Sequence, residues 1–186
     1  MTHEERLIQG TVNERLAAGN GVAQFSLRAA GMTPIDGQDQ TERAPLGSYN
    51  GGIVAPKVSR LQHGDLLFRF SSSDKTDMAA RFAGDWWFSR DCLATIRWAS
   101  RMENSDFREA ARSYLGIVWG DSHNLVGGLL NADFWCFMGL TGAVAGGGSS
   151  MSGPLRTDVV QLYVPGGLRL GDFTQPRDNV LTSGLV

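Results

Sequence analysis

A clear strand, apolar on both sides but for one arginine, runs over Leu66-Leu67-Phe68-Arg69-Phe70, which Gly64-Asp65 opens and Ser71-Ser72-Ser73 closes. A period of two reads as a strand, with Leu66, Phe68 and Phe70 on one face and Leu67 and Arg69 on the other. The aromatic run Trp86-Trp87-Phe88 also has strand preference and ends at Ser89. The period then changes. Leu93, Ile96, Ala99 and Ser100 recur at helical spacing, which predicts a helix over 90–102. Ser89 is its N-cap, and Asp91 falls in the first turn, where a negative charge suits the helix dipole. Asp106 caps a second helix over 107–114, with Phe107, Ala110, Ala111 and Tyr114 as its apolar stripe. Further strands are predicted at Leu115 to Trp119, Phe134 to Met138 and Val159 to Val164, the last stopped by Pro165-Gly166-Gly167. In that last strand Val159, Gln161 and Tyr163 share one face against Val160, Leu162 and Val164. Leu168 to Phe173 is a candidate final strand.

Outside these elements the pattern is looser. Residues 3 to 30 read as helical, broken by Gly10 and by Gly19 to Gly21, and Gly31 to Lys57 is turn-rich. So long an irregular connection is either functional or a loop wrapping the domain. Gly127-Gly128 and Asn131 read as turns. The reading divides the chain into an N-terminal helical and loop extension over 1–60, packed on a core domain over 61–186. The run Gly139 to Gly148 is rich in glycine but has neither the Lys-Ser/Thr ending of a P-loop nor the placement of a dinucleotide fingerprint.

Composition narrows the class. With 186 residues, 42% of them hydrophobic and 19% charged, the chain can bury a sizeable core and is not of disordered type. A net charge of −2 leaves nucleic-acid contact to a local patch at most. The two cysteines, Cys92 and Cys136, stand among apolar neighbours and read as reduced core thiols. No apolar run reaches membrane-span length, and Glu4, Glu5 and Arg6 stand where a secretory signal would carry its apolar region. The expectation is a cytoplasmic protein, or one delivered into a target cell by a dedicated secretion system. His3, His63 and His123 are scattered without metal-ligand spacing, so no metal is expected. No Gly-x-Ser-x-Gly elbow supports a serine hydrolase.

Three positions carry candidate chemistry. An arginine at the end of an apolar strand is costly unless it meets an anion. For Arg69 that anion is either an internal carboxylate or a bound pyrophosphate, whose oxygens the guanidinium fork matches two at a time. Gln161 is polar in a β-branched strand and, if buried, must hydrogen-bond something. Trp87-Phe88-Ser89 brings an aromatic strand to its end where a helix begins, either as plain core with a cap or as the wall of a small-molecule site.

Taken in order, these stretches resemble the ADP-ribosyltransferase fold and its toxin relatives. The first is a strand ending in Arg, here Leu67-Phe68-Arg69-Phe70-Ser71. The second is the aromatic-x-Ser strand end Trp87-Phe88-Ser89. The third is the late strand Gln161-Leu-Tyr-Val-Pro-Gly-Gly167, preceded by Gly142-Ala-Val-Ala145 and further glycines as in NAD-glycohydrolase toxins of the same fold. The likeness spans roughly residues 64 to 173. It implies an α+β fold with an ADP-ribosyltransferase-like split β-sandwich core and flanking helices.

The resemblance also implies an activity. Such an enzyme breaks the nicotinamide–ribose bond of NAD through an oxocarbenium-like state, as a mono-ADP-ribosyltransferase toxin or effector or as an NAD glycohydrolase. A non-catalytic binding module is the reading from a different class. By resemblance Arg69 anchors phosphate or ribose, with Phe70 and Ser71 beside it. Trp87 or Phe88 packs on nicotinamide, Ser89 orients the site and Gln161 hydrogen-bonds the ribose. Arg69, Ser89 and Gln161 are then the catalytic set and should converge on one cleft. The partners implied are NAD, a protein or nucleic-acid acceptor and an immunity protein, with no membrane. Many transferases of the fold carry glutamate where Gln161 stands. A glutamine cannot act as a base, which points to hydrolysis or to transfer to an unusual acceptor. Asp158 and Asp172 are the nearby acidic substitutes.

Overall fold

The computed structural model describes residues 53–115, 123–141, 159–178 and 180. The helical reading of 3–30, the loop over 31–52, the strand positions 116–119 and the glycine-rich run beyond Thr141 lie outside the described residues.

The fold is α+β. Its strands are β1 (Ile53–Leu61), β2 (Leu66–Ser71), β3 (Gly84–Ser89), β4 (Asn124–Leu130), β5 (Phe134–Thr141), β6 (Val160–Leu168) and β7 (Phe173–Arg177). They join as one antiparallel sheet in the order β1-β5-β6-β3-β2-β4-β7. The expectation of two packed sheets meets a single hydrogen-bonded order that is nearly divided. β2 and β3 are joined only through Leu67↔Ser89 and Phe68↔Phe88, whereas β2 pairs with β4 along its whole length, from Leu66↔Leu129 to Ser71↔Asn124.

Among the described residues three α-helices flank the sheet: α1 (Met78–Phe82), α2 (Arg90–Glu103) and α3 (Phe107–Leu115). α2 starts where the sequence puts it. Ser89 Oγ accepts from the Cys92 amide at 3.3 Å, and Asn104 closes the helix in the left-handed region at φ 50°. α3 begins after Asp106, whose Oδ1 accepts from the Arg108 amide at 2.8 Å.

Side-chain alternation gives the sheet two buried faces. On the first, Phe68, Phe88 and Leu125 pack against Cys92, Leu93 and Ile96 of α2 and Ala111, Tyr114 and Leu115 of α3. On the second, Leu67, Trp87, Val126 and Leu162 pack with Phe82 of α1 and Phe173 of β7. A smaller cluster of Ile53, Phe137 and Tyr163, with Trp86 and Trp135 against it, lies toward β1.

Three local readings change. Residue 60 lies inside β1, which pairs with β5 from Ile53↔Thr141 to Leu61↔Phe134, so residues 53–60 belong to the sheet rather than to an extension. Gly127 and Gly128 are not a turn but the middle of β4. A Cβ on Gly127 would lie 2.6 Å from the Phe68 ring, and one on Gly128 would lie 3.1 Å from Phe173, so these glycines make room for aromatic rings crossing the strand. Pro165-Gly166-Gly167 bends β6 without ending it, because both glycines take positive φ, 81° and 72°.

Candidate functional site

Arg69 extends from β2 onto the second face, the side of Leu67 and Trp87. Its guanidinium lies against Gly84, where a Cβ would come 1.4 Å from Nη1 and 2.1 Å from Cζ. Cζ stands 6.0 Å from the Trp87 ring centroid, within reach of a cation–π contact. Burial pushes the Arg69 pKa down, Asp85 opposes the shift and Arg169 adds to it. Nε is buried without a hydrogen-bond partner among the described residues. Arg69 thus fills the opening beyond the two-pair seam between β2 and β3, and Asp85 supplies the carboxylate of the internal explanation.

The two candidate nicotinamide walls are both core. Trp87 is 1% exposed and Phe88 3%. The Trp87 ring packs on Phe82 and Phe173 at centroid distances of 6.0 and 4.9 Å, and its Nε1 donates to the Gly84 carbonyl at 2.8 Å. Phe88 stacks on Phe68 and on Phe70, and Phe70 in turn meets Phe107. Ser71 is buried, with its Oγ unpartnered among the described residues.

Gln161 sits on β6 opposite Phe88 of β3 and Gly139 of β5, facing the first face. Its Nε2 donates to the Leu115 carbonyl at 2.6 Å, which ties mid-sheet to the end of α3. The buried glutamine has found its partner inside the protein. Asp172 accepts from the Arg169 amide at 2.7 Å, bracing the turn between β6 and β7. Asp158 lies outside the described residues.

Of the proposed residues, Ser89 lines a cleft formed by described residues. Where β3 leaves the sheet and becomes α2, a cavity of about 460 Å³ opens between the starts of β2 and β6. Leu66, Leu67, Met138 and Leu162 give it apolar walls, and Asp65, Ser89, Arg90, Asp91 and Thr95 give it polar groups. Asp65 Oδ2 accepts from the Gln62 amide at 2.8 Å, and Asp91 occupies the first turn of α2. The sequence carried a signal for this site in Gly64-Asp65 before β2 and in Ser89-Arg90-Asp91, which read there as a strand opening and a helix cap.

The expected convergence therefore fails on strand parity. Arg69 and Trp87 occupy one face of the sheet, Phe88 and Gln161 the other, and Ser89 stands at the strand end with neither Arg69 nor Gln161 in its cleft. What the three motifs share is adjacency. Their strands are neighbours, in the order β6-β3-β2. No group of His, Cys, Asp and Glu suited to a metal occurs among the described residues, and no described helix is long and apolar enough to cross a membrane.

No protein-family model and no curated protein matches the chain. Among solved structures the chain is similar to Rhs1-CT in complex with its cognate immunity protein RhsI1. The identity is 12% and the TM-score 0.44, over 70% of this chain and 86% of that one. A likeness of that depth fixes neither activity nor partner.

Proposed function

We propose that the protein is an NAD-consuming effector that breaks the nicotinamide–ribose bond, with the substrate held in the cleft at Ser89. The observation that carries this reading is the cleft itself, about 460 Å³ of mostly apolar space at the C-terminal end of β3, lined by the serine of the aromatic-x-Ser motif. Adjacency of the three motif strands in the order β6-β3-β2 supports it. The separation of Arg69 from Gln161 withdraws the three-residue site and leaves the reading on these two supports.

Of the two outcomes, hydrolysis is favoured over transfer. Gln161 is a glutamine, and its amide is engaged by the Leu115 carbonyl. The late strand therefore offers no base at position 161 to activate a protein or nucleic-acid acceptor. Water then takes the ribose carbon and ADP-ribose leaves free. Such an activity would be exercised in a target cell, and a producing cell would need an immunity protein against it.

Incubation with NAD labelled in the adenylate half tests the proposal. Nicotinamide and free labelled ADP-ribose should appear together. Label retained on macromolecules would select transfer. No nicotinamide release would defeat both and leave a binding module.

A further inference from the structure

The charge balance of the cleft points to a residue that the motifs do not contain. Among the described residues its lining carries two carboxylates, Asp65 and Asp91, against a single cation, Arg90, among apolar walls. Such a surface disfavours the pyrophosphate of NAD and favours its cationic nicotinamide ring. It also favours the positive charge that grows on the ribose as the glycosidic bond breaks. Apolar walls lower the local dielectric, so a carboxylate there acts more strongly than one in open water.

The two carboxylates differ in what holds them. Asp91 is exposed in the first turn of α2, where a negative charge suits the helix dipole. Asp65 is half-buried in the turn between β1 and β2 and is fixed by its backbone as well as its side chain. Its amide donates to the Gln62 carbonyl at 3.0 Å, its carbonyl accepts from the Leu130 amide at 2.9 Å, and Oδ2 accepts from the Gln62 amide. Its charge is felt at the buried thiol of Cys136 on β5, where it adds to the upward shift caused by burial. The carboxylate is thus held in place by the turn that carries it.

Resting on the reading of this cleft as an NAD site, we propose that it takes the nicotinamide-ribose half of the substrate and that Asp65 is the catalytic carboxylate. The C1′–N bond breaks with its electron pair going to nicotinamide. A water oxygen bonds to C1′, and its proton passes to the Asp65 carboxylate and on to solvent. The products are nicotinamide, ADP-ribose and one proton. Asp65 thereby does what Gln161 cannot, from the opposite side of β3.

The test compares wild type, Asp65→Asn, Asp65→Glu and Asp91→Asn for nicotinamide release, NAD affinity and Tm. Asparagine keeps an oxygen to accept from the Gln62 amide, so Asp65→Asn should melt within about 2 °C of wild type. Its turnover should fall by about 10²–10⁴-fold, the range for loss of a general base, with NAD affinity retained. Asp91→Asn removes the cleft's other carboxylate and should lower turnover less than Asp65→Asn does, and a larger loss there than at Asp65 overturns the assignment. An Asp65→Asn protein as active as wild type overturns the assignment while leaving the NAD reading intact. A wild type that releases no nicotinamide overturns the NAD reading and the assignment with it. Should Asp65→Asn lose its fold, Asp65→Glu decides. A carboxylate displaced by one methylene lowers turnover about tenfold or more if it acts at C1′, and unchanged turnover overturns the proposal.

Discussion

The Gln161 side chain on β6 donates to the Leu115 carbonyl at 2.6 Å, joining the middle of the sheet to the last turn of α3. That carbonyl stands at a helix end, where the last C=O groups have no partner within the helix. Gln161→Glu removes the donor and sets a carboxylate against a carbonyl oxygen. A loss of about 1–3 kcal/mol is expected, the cost of an unsatisfied buried polar group, read from denaturant unfolding. Because Gln161 lies outside the cleft, NAD turnover of the folded fraction should match wild type. A selective loss of turnover at unchanged stability would return Gln161 to the site.

Arg69→Lys separates two roles for the same charge. The variant keeps the cation but loses the flat group that fills the space against Gly84 and over Trp87. Tm should fall while nicotinamide release stays within about twofold of wild type, since the side chain sits away from the cleft. A drop in NAD affinity at unchanged Tm would contradict this.

Gly84→Ala probes the same contact from the other side. The new methyl would meet Arg69 Nη1 at 1.4 Å, so the guanidinium must leave its place. Destabilisation of about 1–3 kcal/mol is expected, the cost of overpacking. In a double-mutant cycle, Gly84→Ala should cost much less once Arg69 is alanine. Additive effects would show that the two residues do not press on each other.

Ser89→Ala removes the N-cap of α2, worth about 1 kcal/mol, and Ser89→Asn should restore most of it. Unfolding curves of the three proteins check this, and equal stability of all three would deny the cap any part in holding the helix.

Both thiols are raised to about 12 by burial. The thiolate is the reactive form, so a thiol reagent at pH 8 should leave folded protein unmodified and label both cysteines on denaturation. Rapid labelling of either one in the native state would contradict the buried placement.

Much of the fold was legible because the chain obeys two periods. The apolar run Leu66 to Phe70, bounded by Gly64-Asp65 and the serines, and helical spacing from Leu93 to Ser100 located β2 and α2 within a residue or two. Strand parity was also readable, since Leu67 and Arg69 do share a face, as do Gln161 and Tyr163. The relative parity of two strands was not. Whether Arg69 and Gln161 face the same way depends on the registers Leu67↔Ser89 and Phe88↔Gln161, which are set by pairing partners distant in sequence. β1 and the centre of β4 were hidden for a different reason: glycine and proline read locally as turns, and only the rings of Phe68 and Phe173 explain why Gly127 and Gly128 lie within a strand.

The seam of two residue pairs between β2 and β3 has a consequence for assembly of the chain. It separates β1, β5, β6 and β3 from β2, β4 and β7, yet of the six connections between successive described strands, all but the one from β5 to β6 pass from one group to the other. The thread crosses its weakest join five times. No single cut of the polypeptide can release either group as a unit, so complementary fragments should reconstitute both groups together or neither. The halves are stitched by connectivity where hydrogen bonds are few.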